Sequence, residues 1–280
     1  MATLIGKAIV VCGGARGIGA AVSEHLVRQG ARVLVVDAGV SVDGRQPDPT
    51  VVENWAGALR GQGSEIRVSA ADLTAPDAAA TTIELAKREF GALDGVVYAA
   101  GIQRDATFLR ANLADLRATA DTNLFGAFAV MQAAAQTMVD AKTPGSMVLM
   151  TAPGAVLGMH RQADVAVASA GVIALMRTAA LELRRYGIRV NAVAPTAKTR
   201  ANEALPMFTA VRSTSLLAEH VAPVVAHLLS DRSVNVTGEV IGVAGGRIYA
   251  VGTRDTAGIT VDPPVDDDTL ANRWAEIIRG

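Results

Sequence analysis

Cysteine, aromatic residues and runs of like charge are all scarce in this 280-residue sequence. Its single cysteine, Cys12, excludes a disulfide framework and a cysteine-based metal site, and we expect no metal. The net charge of −1, without any basic run, argues against a nucleic-acid surface. No uninterrupted apolar run reaches membrane-spanning length, and the N-terminus lacks the basic region and cleavage site of a signal peptide. These absences favour a soluble, cytoplasmic protein that binds neither membranes nor nucleic acid.

Hydrophobic residues make up 50% of the chain, which is enough for a sizeable core. Short β-rich runs alternate with helical patterns along most of its length. Strands alternating with helices predict an α/β, doubly wound Rossmann-type fold with a parallel sheet flanked by helices. We expect about seven strands, at 7–11, 32–37, 65–70, 95–99, 146–151, 189–194 and 239–243.

A glycine-rich turn follows the first strand pattern and opens a helical pattern. Glycine lets the backbone approach a pyrophosphate without an intervening Cβ, and the free N–H groups and dipole of a helix N-terminus attract phosphate. A plain tight turn would give a similar pattern. The dinucleotide interpretation assigns cofactor contacts to the turn residues Gly13, Arg16, Gly17, Ile18 and Gly19.

The second strand pattern ends in a carboxylate, Asp37, which lies 18 residues after Gly19. In a dinucleotide-binding fold, an acid at this spacing accepts hydrogen bonds from the adenosine ribose and repels a 2′-phosphate. An aspartate that merely begins a loop is the alternative. Together, the turn and the acid predict a nucleotide-binding site, past or present, with a preference for NAD over NADP.

An ordered set of motifs resembles the short-chain dehydrogenase/reductase family over essentially the whole chain. The resemblance implies an NAD site that also includes Ala100 and Gly101, with Asp72 and Leu73 facing the adenine. The set consists of Gly13-x-x-x-Gly17-x-Gly19, Asp37, Asp72-Leu73, Ala100-Gly101, Asn123, R-V-N-A-V-A-P at 189–195 and V-T-G-E-V at 236–240.

A narrower resemblance is to the (3R)-hydroxyacyl-CoA dehydrogenase module of peroxisomal multifunctional enzymes and its bacterial relatives. It rests on the loop after Asp37, A-P-T-A-K-T-R at 194–200, E-H-V-A-P at 219–223 and the tail. This resemblance implies NAD, an acyl-thioester substrate and a homodimer or homotetramer. Lys198 and Arg200 could then meet a CoA phosphate, or they could be solvated loop charges.

The tail extends beyond the usual end of the family, at about Gly246. We therefore expect one Rossmann domain over 1–246 and a C-terminal extension over 247–280. The extension would pack on the same domain or on a neighbouring subunit.

Three catalytic roles of the family are unfilled in this sequence. In the family, a Tyr exchanges the proton with the substrate oxygen, a Ser holds that oxygen, and a Lys lowers the Tyr pKa and binds the nicotinamide ribose. The motifs at 145–151 and 190–195 fix the register without a gap and place these roles at Ala152, Val165 and Ser169. The family's Asn is retained as Asn123, for which we expect backbone hydrogen bonding within its helix.

The cofactor side departs from the family pattern as well. Cys12 stands where a Thr is usual, Tyr98 and Ala99 replace Asn-Asn, and Thr196 replaces a Gly. These changes and the loss of the Lys predict weakened NAD binding, although the adenosine half keeps its motifs.

We therefore expect a catalytically degenerate protein that serves as a binding, scaffolding or regulatory subunit. Its partners could include an active paralogue and an acyl-CoA-like ligand. The alternative is an enzyme of the same fold with a non-standard proton donor, for which His160 is a candidate.

The segment Val165–Leu183 is apolar on all sides and carries no charge before Arg177. Such a helix must be buried. In this fold its outer face would pack against a symmetry mate, so we expect a homo-oligomer, with a tetramer favoured over a dimer.

Overall fold

The computed structural model describes residues 3–60, 65–203, 206–209, 211–212, 214–261 and 264–279. The chain divides into two compact units, Met1–Ala250 and Val251–Gly280. The first unit contains an eight-stranded sheet in the order β3-β2-β1-β4-β5-β6-β7-β8. Its strands are β1 Ala8–Cys12, β2 Arg32–Val36, β3 Ile66–Ser69, β4 Gly95–Tyr98, β5 Gly145–Met150, β6 Ile188–Thr196, β7 Val240–Ala244 and β8 Arg247–Ala250.

The first seven strands are parallel, and each lies within two residues of its sequence prediction. Runs of buried aliphatic residues suit β1, β2 and β4–β7 to the interior of the sheet, since a parallel sheet is covered on both faces. β3 is an edge strand and is only partly buried. The predicted α/β Rossmann-type fold is therefore confirmed.

An eighth strand adds to the seven parallel strands that the sequence predicts. It pairs antiparallel with β7, and the pairing of Ala244 with Arg247 leaves Gly245-Gly246 as a two-residue hairpin loop. Gly245 has a φ of +58°, a left-handed conformation that glycine adopts without strain. The sheet thus continues past Gly246, and the first compact unit ends at Ala250.

Helices of the first unit flank the sheet, with α1 packed beside α9, α3 beside α5 and α4 beside α7. They are α1 Gly17–Arg28, α2 Thr50–Arg60, α3 Ala78–Phe90, α4 Leu113–Ala120, α5 Gly126–Ala141, α6 Gly154–Leu157, α7 Ala163–Leu183, α8 Pro206–Thr209 and α9 Ala222–Leu229.

A turn of π-helix, Asp121–Phe125, lies between α4 and α5 and joins them into one continuous helical run. The Tyr98 hydroxyl donates to the Thr122 carbonyl at 2.6 Å. The Asn123 amide pairs with the backbone of Ile102, accepting from its N–H at 2.8 Å and donating to its carbonyl at 2.9 Å. Asn123 therefore bonds to the loop after β4, and the expectation of a bond within its own helix is wrong. A side chain that bonds to a helical carbonyl, as Tyr98 bonds to Thr122, disturbs the regular i to i−4 hydrogen bonds and accompanies a π-helical turn.

Helix α7 packs against β6 and α4. Together with the turn that follows, Ala163–Tyr186 is long and apolar enough to cross a membrane by composition alone. However, Ala168, Val172 and Met176 are at most 1% exposed, which is how the core helix of a folded domain looks. The outer side of the helix, including Leu181, is exposed.

The second unit contains α10, Asp267–Arg279. Asp266 precedes it and accepts a hydrogen bond from the Thr269 N–H at 2.7 Å, as a helix N-cap does. Where this extension packs stays a prediction.

Candidate active site

A cavity of about 260 Å³ opens at the carboxyl ends of β1, β2 and β4. β2 and β3 lie on one side of β1, and β4 lies on its other side, so the strand order reverses at this edge. Open α/β sheets bind ligands at such a topological switch point. The structure places all of the residues predicted from sequence to contact the dinucleotide on this cavity. They are Gly13, Arg16, Gly17, Ile18, Gly19, Asp37, Asp72, Leu73, Ala100 and Gly101.

The glycine-rich turn is packed as closely as a backbone allows. Gly13 has a φ of +72°, and a Cβ there would lie 2.4 Å from the Ala100 Cα. A Cβ on Gly19 would lie 1.9 Å from the Gly13 carbonyl oxygen. Helix α1 begins in the cavity wall at Gly17, and the Arg16 side chain does not cap it. The first N–H groups of α1 are therefore available to a phosphate.

Asp37 connects the glycine-rich turn to the end of β2. One carboxylate oxygen accepts from the Ala15 N–H at 3.0 Å, and the other accepts from the Gly39 N–H at 2.9 Å. The side chain is only 10% exposed. Each carboxylate oxygen has a further lone pair, so the geometry is compatible with the predicted ribose contact, which stays a prediction.

Two guanidinium groups meet beside Asp37. Arg16 Nη2 lies 3.7 Å from the Asp37 carboxylate and donates to the Val40 carbonyl at 2.6 Å. Arg200 Nη2 donates to the same carbonyl at 3.3 Å. Partial burial and the neighbouring charge of Arg16 lower the pKa of Arg200, while Asp37 opposes this shift. Arg200 lines the cavity and is itself exposed, so a ligand contact and a solvated loop charge both stay predictions for it.

Asp72 and Leu73 form the opposite wall of the cavity. The Asp72 carboxylate accepts from the Thr74 N–H at 2.9 Å and from its hydroxyl at 2.8 Å. This local turn fixes the side chain at the end of the β3 segment.

None of the three positions assigned to catalysis is among the described residues that line this cavity. Ala152 follows β5, while Val165 and Ser169 lie one turn apart on α7. The Thr151 hydroxyl donates to the Ser169 carbonyl at 3.0 Å and joins the end of β5 to α7. His160 is exposed on the loop before α7.

Neither Tyr98 nor Cys12 is available for proton transfer at this site. Tyr98 is 2% exposed, and burial raises its pKa well above the ordinary value. Burial also raises the pKa of the Cys12 thiol, so it is an inert core residue. Tyr186 lies beyond the far end of α7.

Sequence reasoning missed Asp105, which forms an acidic pair with Asp164 beside the start of α7. Asp164 is buried and accepts from the Arg104 N–H and the Thr119 hydroxyl, both at 2.8 Å. Gln162 donates to Asp105 at 3.3 Å. Burial, with a contribution from the charge of Asp164, raises the pKa of Asp105. The charged dipeptide Arg104-Asp105, which begins six residues after the end of the fourth strand, was the available signal.

A glycine-rich turn at a helix N-terminus, an acid after β2 and a cavity at the switch point together define a Rossmann-type dinucleotide-binding fold. Residues 13–247 match a family model described as Enoyl-(Acyl carrier protein) reductase. With the relatives below, this match shows that the chain belongs to the short-chain dehydrogenase/reductase family. Members of this family generally bind NAD(P) and are commonly oligomeric.

Two relatives and one solved structure illustrate the similarity. Rv0148 of Mycobacterium tuberculosis, named as a short-chain type dehydrogenase/reductase, is 32% identical over 97% of this chain and 93% of its own length. The 3-oxoacyl-[acyl-carrier-protein] reductase FabG of Thermotoga maritima is 33% identical over 88% of this chain and 99% of its own. The crystal structure of a short chain dehydrogenase from Mycobacterium avium has a TM-score of 0.82 at 30% identity and covers 98% of this chain and 95% of that one.

Proposed function

We propose that the protein is a catalytically degenerate short-chain dehydrogenase/reductase that binds NAD(H) and acts as a binding, scaffolding or regulatory subunit. The observation that carries this proposal is the identity of three residues. Ala152, Val165 and Ser169 occupy the positions where the family has its Ser, Tyr and Lys. In support, β5 ends at Met150, two residues before Ala152, and α7 carries both Val165 and Ser169.

The residues of the cavity fit a dinucleotide. Gly13 and Gly19 let the turn pack against the backbone of Ala100 and against itself, where any Cβ would clash. Arg16 lines the cavity, and its Nε is buried without a hydrogen-bond partner among the described residues. A bound phosphate would accept a hydrogen bond from this group. When bound, NAD would supply the hydride-transfer chemistry.

The chain's own residues would bind the dinucleotide without completing the reaction. The N-terminus of α1 would hold the pyrophosphate, and Asp37 would orient the adenosine ribose. At position 165, valine has no group that can give or take a proton. At position 169, serine cannot supply the positive charge of the family's lysine. By the narrower resemblance, the second ligand would be acyl-CoA-like.

The central experiment is calorimetric titration of the purified protein with NADH and NADPH. We expect NADH to bind more tightly, because Asp37 would oppose a 2′-phosphate. Tighter NADPH binding would instead assign Arg16 and Arg200 to that phosphate and remove the Asp37 argument. Binding of neither would overturn the proposal.

Restoring the missing side chains tests the degeneracy. We expect the combined variant Ala152→Ser, Val165→Tyr and Ser169→Lys to oxidise a (3R)-hydroxyacyl thioester above the wild-type rate. One positioned acid–base group typically contributes on the order of 10²–10⁴ in rate. The matched control carries Val165→Phe in place of Val165→Tyr, which keeps the ring and omits the hydroxyl. Strong turnover by the wild type would contradict the proposal.

An active oxidoreductase of the same fold is the second candidate, acting on a hydroxyacyl or ketoacyl thioester. The observation in its favour is Asp105, whose pKa is raised and whose carboxylate bonds to Gln162, three residues before Val165. His160 remains the candidate from sequence. If wild-type turnover is found, Asp105→Asn and His160→Ala would show which group carries the proton.

We also propose a cytoplasmic homo-oligomer, most simply a tetramer, to which an active paralogue could add as a further partner. Exposed apolar side chains on α5 and α7 support self-association, since such faces are usually covered. They include Phe128, Val167 and Leu181, which are 45%, 52% and 81% exposed.

A further inference from the structure

The loop that follows β2 crosses from one wall of the cavity to the other. Its residues Val40 and Gly44 line the cavity. The loop after β4 holds its far side, where the Gln103 N–H donates to the Val42 carbonyl at 2.9 Å and Arg104 Nε donates to the Asp43 carbonyl at 2.8 Å. Since β1 lies between β2 and β4 in the sheet, the segment Val40–Gly44 spans the carboxyl end of β1.

Two arginines hold this segment through a single acceptor, the Val40 carbonyl. Guanidinium groups bond more strongly to phosphate than to a neutral carbonyl. Arg16 Nε has no hydrogen-bond partner in the described part of the chain. The Asp37 carboxylate lies 3.7 Å from Arg16 Nη2, and hydrogen bonds from Thr50 together with the charge of Arg16 lower the pKa of the nearby Asp48. The arginines are therefore held by an acceptor that a phosphate group would outcompete.

Glycines bound the segment and seat it closely. Gly39 and Gly44 have φ values of +69° and +81°. A Cβ on Gly44 would lie 2.6 Å from Ile102 Cδ1, so only glycine lets the segment rest on that side chain. Glycines at both ends also allow the large backbone changes that a hinge requires.

We propose that Val40–Gly44 is a strap that closes the dinucleotide cavity in the free protein. A phosphate-bearing dinucleotide opens it by drawing Arg16 and Arg200 away from the Val40 carbonyl. This inference rests on the proposed dinucleotide binding. It goes further because it assigns control of ligand entry, the gate, to the strap Val40–Gly44. The latch that keeps the strap closed is the pair of hydrogen bonds from Arg16 and Arg200 to the Val40 carbonyl.

Two variants loosen the strap in different ways. Arg200→Ala removes one arm of the latch, while Gly44→Ala unseats the strap from Ile102 without changing its charge. Alanine at position 44 would have to adopt a left-handed conformation that is unfavourable for L-residues. Gly44→Ala should therefore increase the equilibrium constant for opening of the strap by roughly fivefold to thirtyfold. The control is Arg45→Ala, which removes the same charge from a side chain that is 67% exposed and pairs with Asp43 within the loop.

Amide hydrogen exchange of a peptide covering 38–46 measures opening without any ligand, and stopped-flow mixing with NADH measures entry. We expect slow exchange in the free wild type and in Arg45→Ala, and faster exchange in Gly44→Ala and Arg200→Ala. NADH should associate faster with Gly44→Ala and should speed exchange of the strap in the wild type.

The two proposals fail differently. Slow wild-type exchange that rises in Gly44→Ala, with no NADH binding to any variant, would support the strap and overturn the proposed dinucleotide binding. NADH binding with equal association rates in the wild type and Gly44→Ala would overturn the gate. Fully unprotected exchange at 40–44 in the free wild type would overturn it as well.

Discussion

Replacement of Gly19 by alanine tests the construction of the dinucleotide cradle directly. The added methyl group would lie 1.9 Å from the Gly13 carbonyl oxygen and 2.8 Å from its carbonyl carbon. Both atoms belong to the backbone, so no side chain can swing aside. The turn itself must move until the contact reaches the 3.4 Å or more of ordinary packing.

The expected cost follows from that displacement. Overpacking a closely packed site typically costs about 1–3 kcal/mol, and a purely backbone clash belongs at the upper end, about 3 kcal/mol. For a chain of this size, about 3 kcal/mol lowers the melting temperature by on the order of 6–12 °C. The same movement displaces the N–H groups at the start of α1, so we expect NADH affinity to fall at least about tenfold.

Gly57→Ala is the matched control. Gly57 also lies in a helix, and apart from the neighbouring backbone of that helix, no atom of the described residues lies within 4 Å of the place that its methyl group would take. The substitution should stabilise the protein by roughly 0.5–1 kcal/mol, since alanine is the better helix former. Thermal unfolding and NADH titration of both variants would check the contrast. A Gly19→Ala protein that melts and binds like the wild type would refute the described turn geometry.

Three further outcomes are expected. Burial raises the Asp105 pKa above its ordinary value of 3.8, so the folded state disfavours the charged form. Asp105→Asn should therefore melt at a higher temperature than the wild type at pH 7. The difference in melting temperature should disappear as the pH falls to 3.8, where the carboxyl group is protonated in the folded wild type, and thermal unfolding at several pH values would measure it. Tyr98→Phe removes the buried bond to the Thr122 carbonyl and should cost roughly 1–3 kcal/mol in a denaturant titration. Light scattering coupled to size exclusion should give a multiple of 28.8 kDa, and a clean monomer at micromolar concentration would contradict the oligomer proposal.

The features that the sequence predicted well are local ones. Strand patterns and the glycine-rich turn depend on residues a few positions apart, and the structure places both as expected. The acid after β2 was recognisable from its spacing. Its backbone partner Ala15, 22 residues away, was not, because that bond depends on how the turn folds over the strand end.

The missed features join residues that are distant in sequence. The π-turn depends on Tyr98 and Thr122, which are 24 residues apart, and the latch joins Arg200 to Val40 across 160 residues. No local pattern encodes such pairs. The eighth strand is different, since Gly245-Gly246 before a β-rich run is a hairpin signal. It was missed because the usual end of the family set the boundary.

The short strand β8 has a consequence for solubility. Without it, β7 would be a bare edge of five mostly buried residues, with unpaired N–H and C=O groups that could recruit another chain. In the intact protein, the Tyr249 ring covers Gly242, and the Arg247 guanidinium stacks 4.4 Å from the centre of that ring. The new edge is thus only four residues long and carries a charge. A chain cut at Gly246 would lose this protection and become prone to aggregation.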